Sequence, residues 1–510
     1  MDHFGLRYFA ERNRTAVAIV DAKGREWSRG ELVDLIDRTA GALVAGGLEP
    51  GDALAILAPN CAEYLAVHLA GIAAGLYVVP INWHLADREI AYMLANSGAK
   101  AVVAHARLGR HRLKALAGAW GGRLGIAIGA VPGFVSFDCF AAAQRSPPPE
   151  RLPGRVLPYT SATTGMPKAV RLPLDGVRGA LAKTVAWHRS LGIEIECGNV
   201  HLCTSMLYHT APLDGAVTAL EMGHTVVLMD GWDAVTLLKT IDARHVTTTF
   251  MVPTMFVRLL KLPDDIRRRY STASLRFVVH SAAPCPPDVK RRMLEWWGPI
   301  IWESYGASEV QGCIASPGEW LAYPGTVGKP IAGSRLKILG DDGRERTAGE
   351  IGTIYLTPHT GERFEYLGDA TKTAACRRGE FVTVDDRGYV NEAGYLFLVG
   401  RNSELIISSG MNIYPAEIEQ VLLAHPAVAD CAVIGAPHPL CGEVPEAHVQ
   451  LAPATGPSPQ LTAALFSFLG EHLSPMKLPR RLIYDVALPR DPNGKLLRRR
   501  LRDEGDPHGR

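Results

Sequence analysis

Short apolar runs recur between helix-like stretches through about the first 280 residues, and this alternation constrains the fold more than any other feature of the chain. The runs at residues 53–58, 76–81, 101–104, 225–229 and 276–280 have the length of buried strands. Strands separated by helices pair side by side in the same direction, so the pattern predicts an α/β fold with largely parallel sheets. The most membrane-like stretch, residues 64–81, contains His68, Gly71, Gly75 and Pro80, and its periodicity changes midway. It reads as a buried helix leading into a core strand rather than as a membrane span.

From about Gly325 the texture shifts to short strands with turn signals, at residues 335–339, Asp341-Asp342-Gly343 and 352–356, which predicts a smaller β-rich unit. After Arg401 a third texture begins, with helices over 415–424 and 461–473 and strands over 428–434 and 447–451. That order predicts a small α+β domain at the C-terminus. Residues 141–158 carry Pro147, Pro148, Pro149, Pro153 and Pro158 and read as an irregular connector. At 510 residues the chain exceeds a single core, and about two to four compact units are expected.

With 54 basic and 52 acidic residues the formal charge is +2, so no global field points to a nucleic-acid or membrane-surface partner. A small molecule is the expected partner. Nine cysteines show no Cys-x-x-Cys pair and no zinc spacing, which fits free thiols in a reducing cytosol. The first twenty residues hold Asp2, Glu11 and several arginines without an unbroken apolar core, which argues against a signal peptide. A cytoplasmic protein is expected.

Four clusters carry the chemistry. The first is Tyr159-Thr160-Ser161-Ala162-Thr163-Thr164-Gly165-Met166-Pro167-Lys168, which packs hydroxyls, a glycine and one lysine into a short loop suited to phosphates. It is not a Walker loop, because Lys168 lies between Pro167 and Ala169. Taken alone it reads more readily as an ordinary surface turn. The second is Tyr305-Gly306-Ala307-Ser308-Glu309: a flat ring that can stack on a base, a hydroxyl for a phosphate oxygen and a carboxylate for Mg²⁺. A turn capped by Glu309 is its ordinary alternative. Upstream, the small residues of Ser281-Ala282-Ala283-Pro284 allow close approach of a ligand.

The third cluster runs from Phe381-Val382-Thr383-Val384-Asp385 to Gly400-Arg401, with Asp385 placed to take two ribose hydroxyls or, in the plainer reading, solvated on a hairpin. The fourth is the turn Pro489-Arg490-Asp491-Pro492-Asn493-Gly494-Lys495, followed by Arg498, Arg499 and Arg500. Most basic tails are solvated faces.

In this order the four clusters resemble the adenylate-forming superfamily of acyl-CoA synthetases, aryl-CoA ligases, luciferases and peptide-synthetase adenylation domains. The segment Ile406-Ile407-Ser408-Ser409-Gly410-Met411-Asn412-Ile413-Tyr414-Pro415 is most similar to the bacterial acyl-CoA and aryl-CoA ligases. The resemblance implies two αβ sheet subdomains and a β-rich unit in residues 1–400, with a mobile C-terminal lid domain in 401–510. It implies ATP, Mg²⁺ and CoA as cofactors and co-substrates, and a small carboxylic acid as substrate.

Carried over by position, Thr160, Ser161, Thr163, Thr164, Gly165 and Lys168 are expected at the outer phosphates, and Tyr305, Ala282 and Ala283 around adenine. Ser308 is expected at the α-phosphate, Glu309 at the magnesium, Asp385 and Arg401 at the ribose, and Lys495 at the reacting carboxylate. His209 falls beside the acid pocket, and Ser409, Gly410 and Met411 along the pantetheine path. A lone histidine is otherwise most often a core residue.

Departures from the family pattern are Ala162 and Ala169 in place of glycines, where positive φ would cost roughly a kcal/mol. Val384 stands in place of glycine, Met206 in place of proline, and Ser403 at the hinge position. These leave open a ligase with an amine or carrier-thiol acceptor, one acting on an unconventional acid, or a nucleotide-binding homologue without turnover. The sequence leaves the oligomeric state open, a homodimer included.

Overall fold

The computed structural model describes residues 4–120, 123–144, 151–160, 166–177, 179–409, 411–453, 455–490 and 496–505. It divides into two compact units, one made of residues 1–251, 262–278 and 361–375, the other of 252–261, 279–360 and 376–510.

The first unit holds two parallel sheets. One runs in spatial order Val135–Ser136, Leu124–Ile128, Ala99–His105, Ala53–Leu57, Tyr77–Pro80 and Arg155–Val156, every neighbouring pair being parallel. The other brings Thr225–Leu228, Val200–Cys203 and Thr248–Met251 together in parallel, with Val17–Val20 beside Thr225–Leu228. A shared apolar core joins residues of both sheets to the helices Arg29–Ala45, Ala62–Ala73 and Thr210–Glu221.

The expected buried helix and core strand are Ala62–Ala73 and Tyr77–Pro80. Gly71 is required there, since a Cβ on it would meet Val78 Cγ2 at 2.6 Å. Among the described residues no helix is long and apolar enough to cross a membrane.

The connector departs from expectation. Phe137–Ala142 is helical, and Arg155–Val156 adds an edge strand in register with Tyr77 and Val78. Prolines block a central strand, but Pro153 and Pro158 only flank this two-residue piece, and a sheet edge tolerates them there. Residues 145–150, with their prolines, lie outside the described residues.

In the second unit a β-rich layer pairs Leu336–Leu339 with Gly352–Leu356, and Asp386–Val390 with Leu396–Arg401. The C-terminal part is a five-stranded sheet of Met411–Ile413, Ile406–Ser408, Gly442–Leu451, Val428–His438 and Arg481–Tyr484. Helices Pro415–Ala424 and Pro459–His472 cover one face around Ile418, Leu422, Leu465 and Leu469, and Leu501 of the last helix packs with Ala432 and Ile434. None of the nine cysteines forms a disulfide, and Cys203, Cys285, Cys313, Cys376 and Cys431 are buried.

His68, inside the first core, is pushed down to about 4 by burial. Its folded-state affinity for a proton is therefore below the ordinary value of 6.5, so stability is intact above that pH and is lost as pH falls towards 4. His68→Leu should remove about 3 kcal/mol of the acid-induced loss. Urea unfolding at neutral and acid pH, wild type against variant, measures the difference.

Candidate active site

In the first unit the phosphate-loop cluster begins and ends on a small antiparallel platform. Lys168 lies opposite Thr160 and Ala169 opposite Tyr159, and Glu365–Tyr366 adds the third strand. The Tyr159 hydroxyl donates to Asn96 Oδ1 at 2.8 Å and lies 3.1 Å from the Met93 carbonyl, anchoring the first strand. Lys168 Nζ sits 5.6 Å from the centre of the Tyr366 ring, within cation–π range.

The loop tip, with Ser161, Ala162, Thr163, Thr164 and Gly165, lies outside the described residues. Ala169 does not carry the expected strain. It is an extended strand residue, fully buried, and its carbonyl accepts from Leu367 N at 3.0 Å.

His209 occupies the residue before the helix Thr210–Glu221, with extended φ and ψ of −99° and 146° and its ring 4.7 Å from that of Tyr208. The loop leading to it is pinned by buried Asn60. That amide donates to the carbonyls of Ser205 and Met229, each at 2.9 Å, and accepts from Leu207 N at 2.8 Å. No local signal marks Asn60, because its partners are 145 or more residues away.

The second unit brings Tyr305, Asp386 and Arg401 together. The strand Ile301–Gly306 buries Ile301, Glu303 and Tyr305 on one face and leaves Trp302 and Ser304 half-buried on the other. Glu303 holds Lys290 Nζ at 2.8 Å and faces His280 Nε2 at 3.4 Å, all three side chains being buried. Tyr305, on the same face, donates its hydroxyl to Asp386 Oδ2 at 2.9 Å. Arg401 Nε donates to Asp386 Oδ1 at 2.8 Å, the two residues standing opposite each other across the hairpin. Burial pushes the Asp386 carboxyl up from its ordinary value against the pull of Arg401.

Asp385, the aspartate expected at the ribose, is turned the other way. It is exposed, at left-handed φ of 69°, and its carboxylate accepts from Asn402 Nδ2 at 2.8 Å. The conformation that favours glycine thus falls at Asp385 rather than at Val384. Ala282 shares this feature, at φ of 71°, in the exposed Ala282-Ala283 turn after the strand Phe277–His280.

Ser308 and Glu309 form the tip of a tight hairpin closed by Ala307 and Val310, each donating its N–H to the other's carbonyl. This is the turn the sequence left open as an alternative, yet Glu309 is only 9% exposed. Among the described residues no group of three His, Cys, Asp or Glu side chains is placed to hold a metal ion. A lone carboxylate fits magnesium whose other ligands are substrate phosphates and water.

The turn Asn402–Glu404 separates the Leu396–Arg401 strand from the C-terminal sheet, with Ser403 half-buried in it. Beyond it, Ser409 and Met411 are exposed. Gly410 and Lys495 lie outside the described residues.

Residues 6–360 match the model of the AMP-binding enzyme family, and residues 417–495 match that of the AMP-binding enzyme C-terminal domain. A fatty acid–[acyl-carrier-protein] ligase from Streptomyces coeruleorubidus is 32% identical over 97% of this chain and 95% of its own length. A feruloyl-CoA synthase from an Amycolatopsis species is 31% identical over 94% of each chain. The o-succinylbenzoate CoA synthetase of Bacillus subtilis, solved with its acyl-adenylate intermediate, superposes with a TM-score of 0.81 at 26% identity, covering 98% of this chain and 97% of that one.

Proposed function

The chain belongs to the AMP-binding enzyme family, and from that premise we propose that it activates a carboxylic acid with ATP and transfers the acyl group to the thiol of CoA. The observation that carries this reading is the buried Asp386 carboxylate gripped by Tyr305 and Arg401. It offers paired acceptor oxygens beside a flat ring, the chemistry that a ribose diol next to a base requires. Asp386 rather than Asp385 takes the ribose role in this proposal, with Arg401 holding the carboxylate in place.

In the first half-reaction an oxygen of the acid attacks the α-phosphorus of ATP, the bond to the β-phosphate bridging oxygen breaks, and pyrophosphate leaves with the electron pair. The protein's part is positioning and neutralisation of charge. Thr160, Ser161, Thr163, Thr164, Gly165 and Lys168 hold the outer phosphates, and Ser308 the α-phosphate. Ala282 and Ala283 line the adenine opposite Tyr305, His209 borders the acid, and Lys495 steadies the reacting carboxylate. Glu309 would hold a magnesium ion, which would supply further neutralisation of phosphate charge.

In the second half-reaction the CoA sulfur attacks the acyl carbon, and AMP leaves with the anhydride oxygen. Ser409, Gly410 and Met411 line the pantetheine path for this step. Because Lys495 and that path serve different steps at one centre, residues 401–510 turn about the Arg401–Glu404 segment between them.

ATP–pyrophosphate exchange against a panel of aliphatic and aromatic acids tests the reading. At least one acid should support exchange, and mass spectrometry should then show a CoA thioester with release of AMP. The reading fails if no acid supports exchange. It is narrowed to another acceptor if the acyl group passes only to a carrier-protein thiol, the acceptor of the Streptomyces relative, or to an amine.

A further inference from the structure

Asn60 stands three residues past the strand Ala53–Leu57 of one parallel sheet, and its side chain reaches across to the other. Its amide nitrogen donates to the carbonyl of Ser205, two residues past the strand Val200–Cys203, and to that of Met229, directly past Thr225–Leu228. Its oxygen accepts from Leu207 N. Both amide protons and the oxygen are used, so the orientation of the group is fixed. Asn60, Ser205, Leu207 and Met229 are all buried. One side chain therefore joins the C-terminal ends of strands from both sheets of the first unit. Ligands of α/β folds bind outside the carboxyl ends of the strands.

The turn that Asn60 holds leads straight to the residue expected beside the acid. His209 N donates to the Met206 carbonyl at 3.1 Å, closing a turn whose second residue, Leu207, is bonded to Asn60. Residues 203–208 are buried, His209 and Thr210 are half-buried and Ala211 is exposed, so the segment first reaches solvent at His209. Other bonds tie Thr204 to Phe250 and Met229 to Cys203, and these stay within the second sheet. The bonds of Asn60 cross between the sheets and fix where the turn stands relative to the first one.

We propose that Asn60 is a positioning residue for acid binding: by tying Ser205, Leu207 and Met229 to the end of the first sheet it sets the place of His209, and with it the wall of the acid pocket. This rests on the reading above in which His209 borders the acid. Asn60 itself touches no substrate. A residue that merely supports the fold changes the amount of active protein and lowers the rate with every acid alike. A residue that sets a pocket wall changes the preference among acids, because discrimination is a ratio of kcat/KM values and does not depend on how much protein is folded.

The experiment uses the full chain with Asn60→Ala, which removes all three bonds, and Asn60→Asp, whose carboxylate keeps the acceptor for Leu207 but lacks both donors. Thr249→Val is the control. Thr249 is also buried, and its hydroxyl donates to the Leu202 carbonyl at 2.8 Å, a bond confined to the second sheet. Pyrophosphate exchange is measured with a bulkier and a slimmer acid that the wild type accepts. In Asn60→Ala the ratio of kcat/KM between the two acids should shift about fivefold and KM for the acid should rise about tenfold, with KM for ATP staying within about twofold. Asn60→Asp should shift the ratio in the same direction, and Thr249→Val should leave it unchanged.

An unchanged ratio in both Asn60 variants overturns the proposal, and so does an equal shift in Thr249→Val. Failure of both Asn60 variants to fold overturns it too, since Asn60 is then a support of the fold. Absence of exchange from the wild type with every acid is a different failure: it defeats the catalytic reading, and the role of Asn60 falls with it.

Discussion

Replacing Asp386 with alanine should reduce ATP–pyrophosphate exchange by about a thousandfold, whereas Asp385→Ala should stay within about twofold of wild type. Two effects add in the Asp386 variant. On the proposed assignment the ribose loses its charged acceptor, and Tyr305 and Arg401 are left in a buried site without the carboxylate that both of them hold. A hydrogen bond to a charged group contributes roughly 1.5–3 kcal/mol, so losing two reaches the stated magnitude.

Asp385→Gly adds a control of opposite sign. It should raise stability by up to about 1 kcal/mol, because glycine adopts the left-handed backbone at φ of 69° without a steric penalty. Comparing KM for ATP with kcat in the three variants, together with urea midpoints, separates the two aspartates. The assignment to Asp386 is withdrawn if Asp385→Ala is the variant that loses exchange.

Lys495→Ala should abolish the first half-reaction, by at least about a hundredfold, while sparing thioester formation from a preformed acyl-adenylate. The lysine's charge matters where the acid's oxygen approaches the α-phosphate and negative charge accumulates on both. Once the anhydride exists, that need is gone. Single-turnover assays of each half-reaction read the two rates directly, and equal loss of both would remove Lys495 from the role given to it.

The strand and helix pattern was readable because burial imposes a period that survives in the sequence. The strands at Ala53–Leu57 and Gly352–Leu356 and the helix Pro415–Ala424 fall where apolar spacing puts them. Arg155–Val156 was obscured by neighbouring prolines, since the signal for a two-residue edge strand is weaker than that of the residues interrupting it. The two aspartates expose a different limit. Asp385 and Asp386 are chemically identical and adjacent, and only the pairing of Asp386 with Arg401 decides which points inward.

The supposed strain at Ala169 failed for a related reason. A position that carries glycine elsewhere does not need positive φ here, because the residue has entered a strand. Asn60 was invisible to sequence reasoning altogether. It acts on backbone groups far along the chain, and backbone carbonyls have no sequence signature.

The distribution of thiols offers a built-in probe of motion. Cys139 and Cys197 are exposed, so a maleimide dye should mark the first unit rapidly under native conditions. The sealed sulfurs react only when their surroundings open. Cys431, beneath the helix Pro415–Ala424, would then register breathing of the C-terminal sheet, and Cys203 that of the parallel core. Timed alkylation followed by peptide mapping would rank the local opening energies of both regions in an unaltered chain.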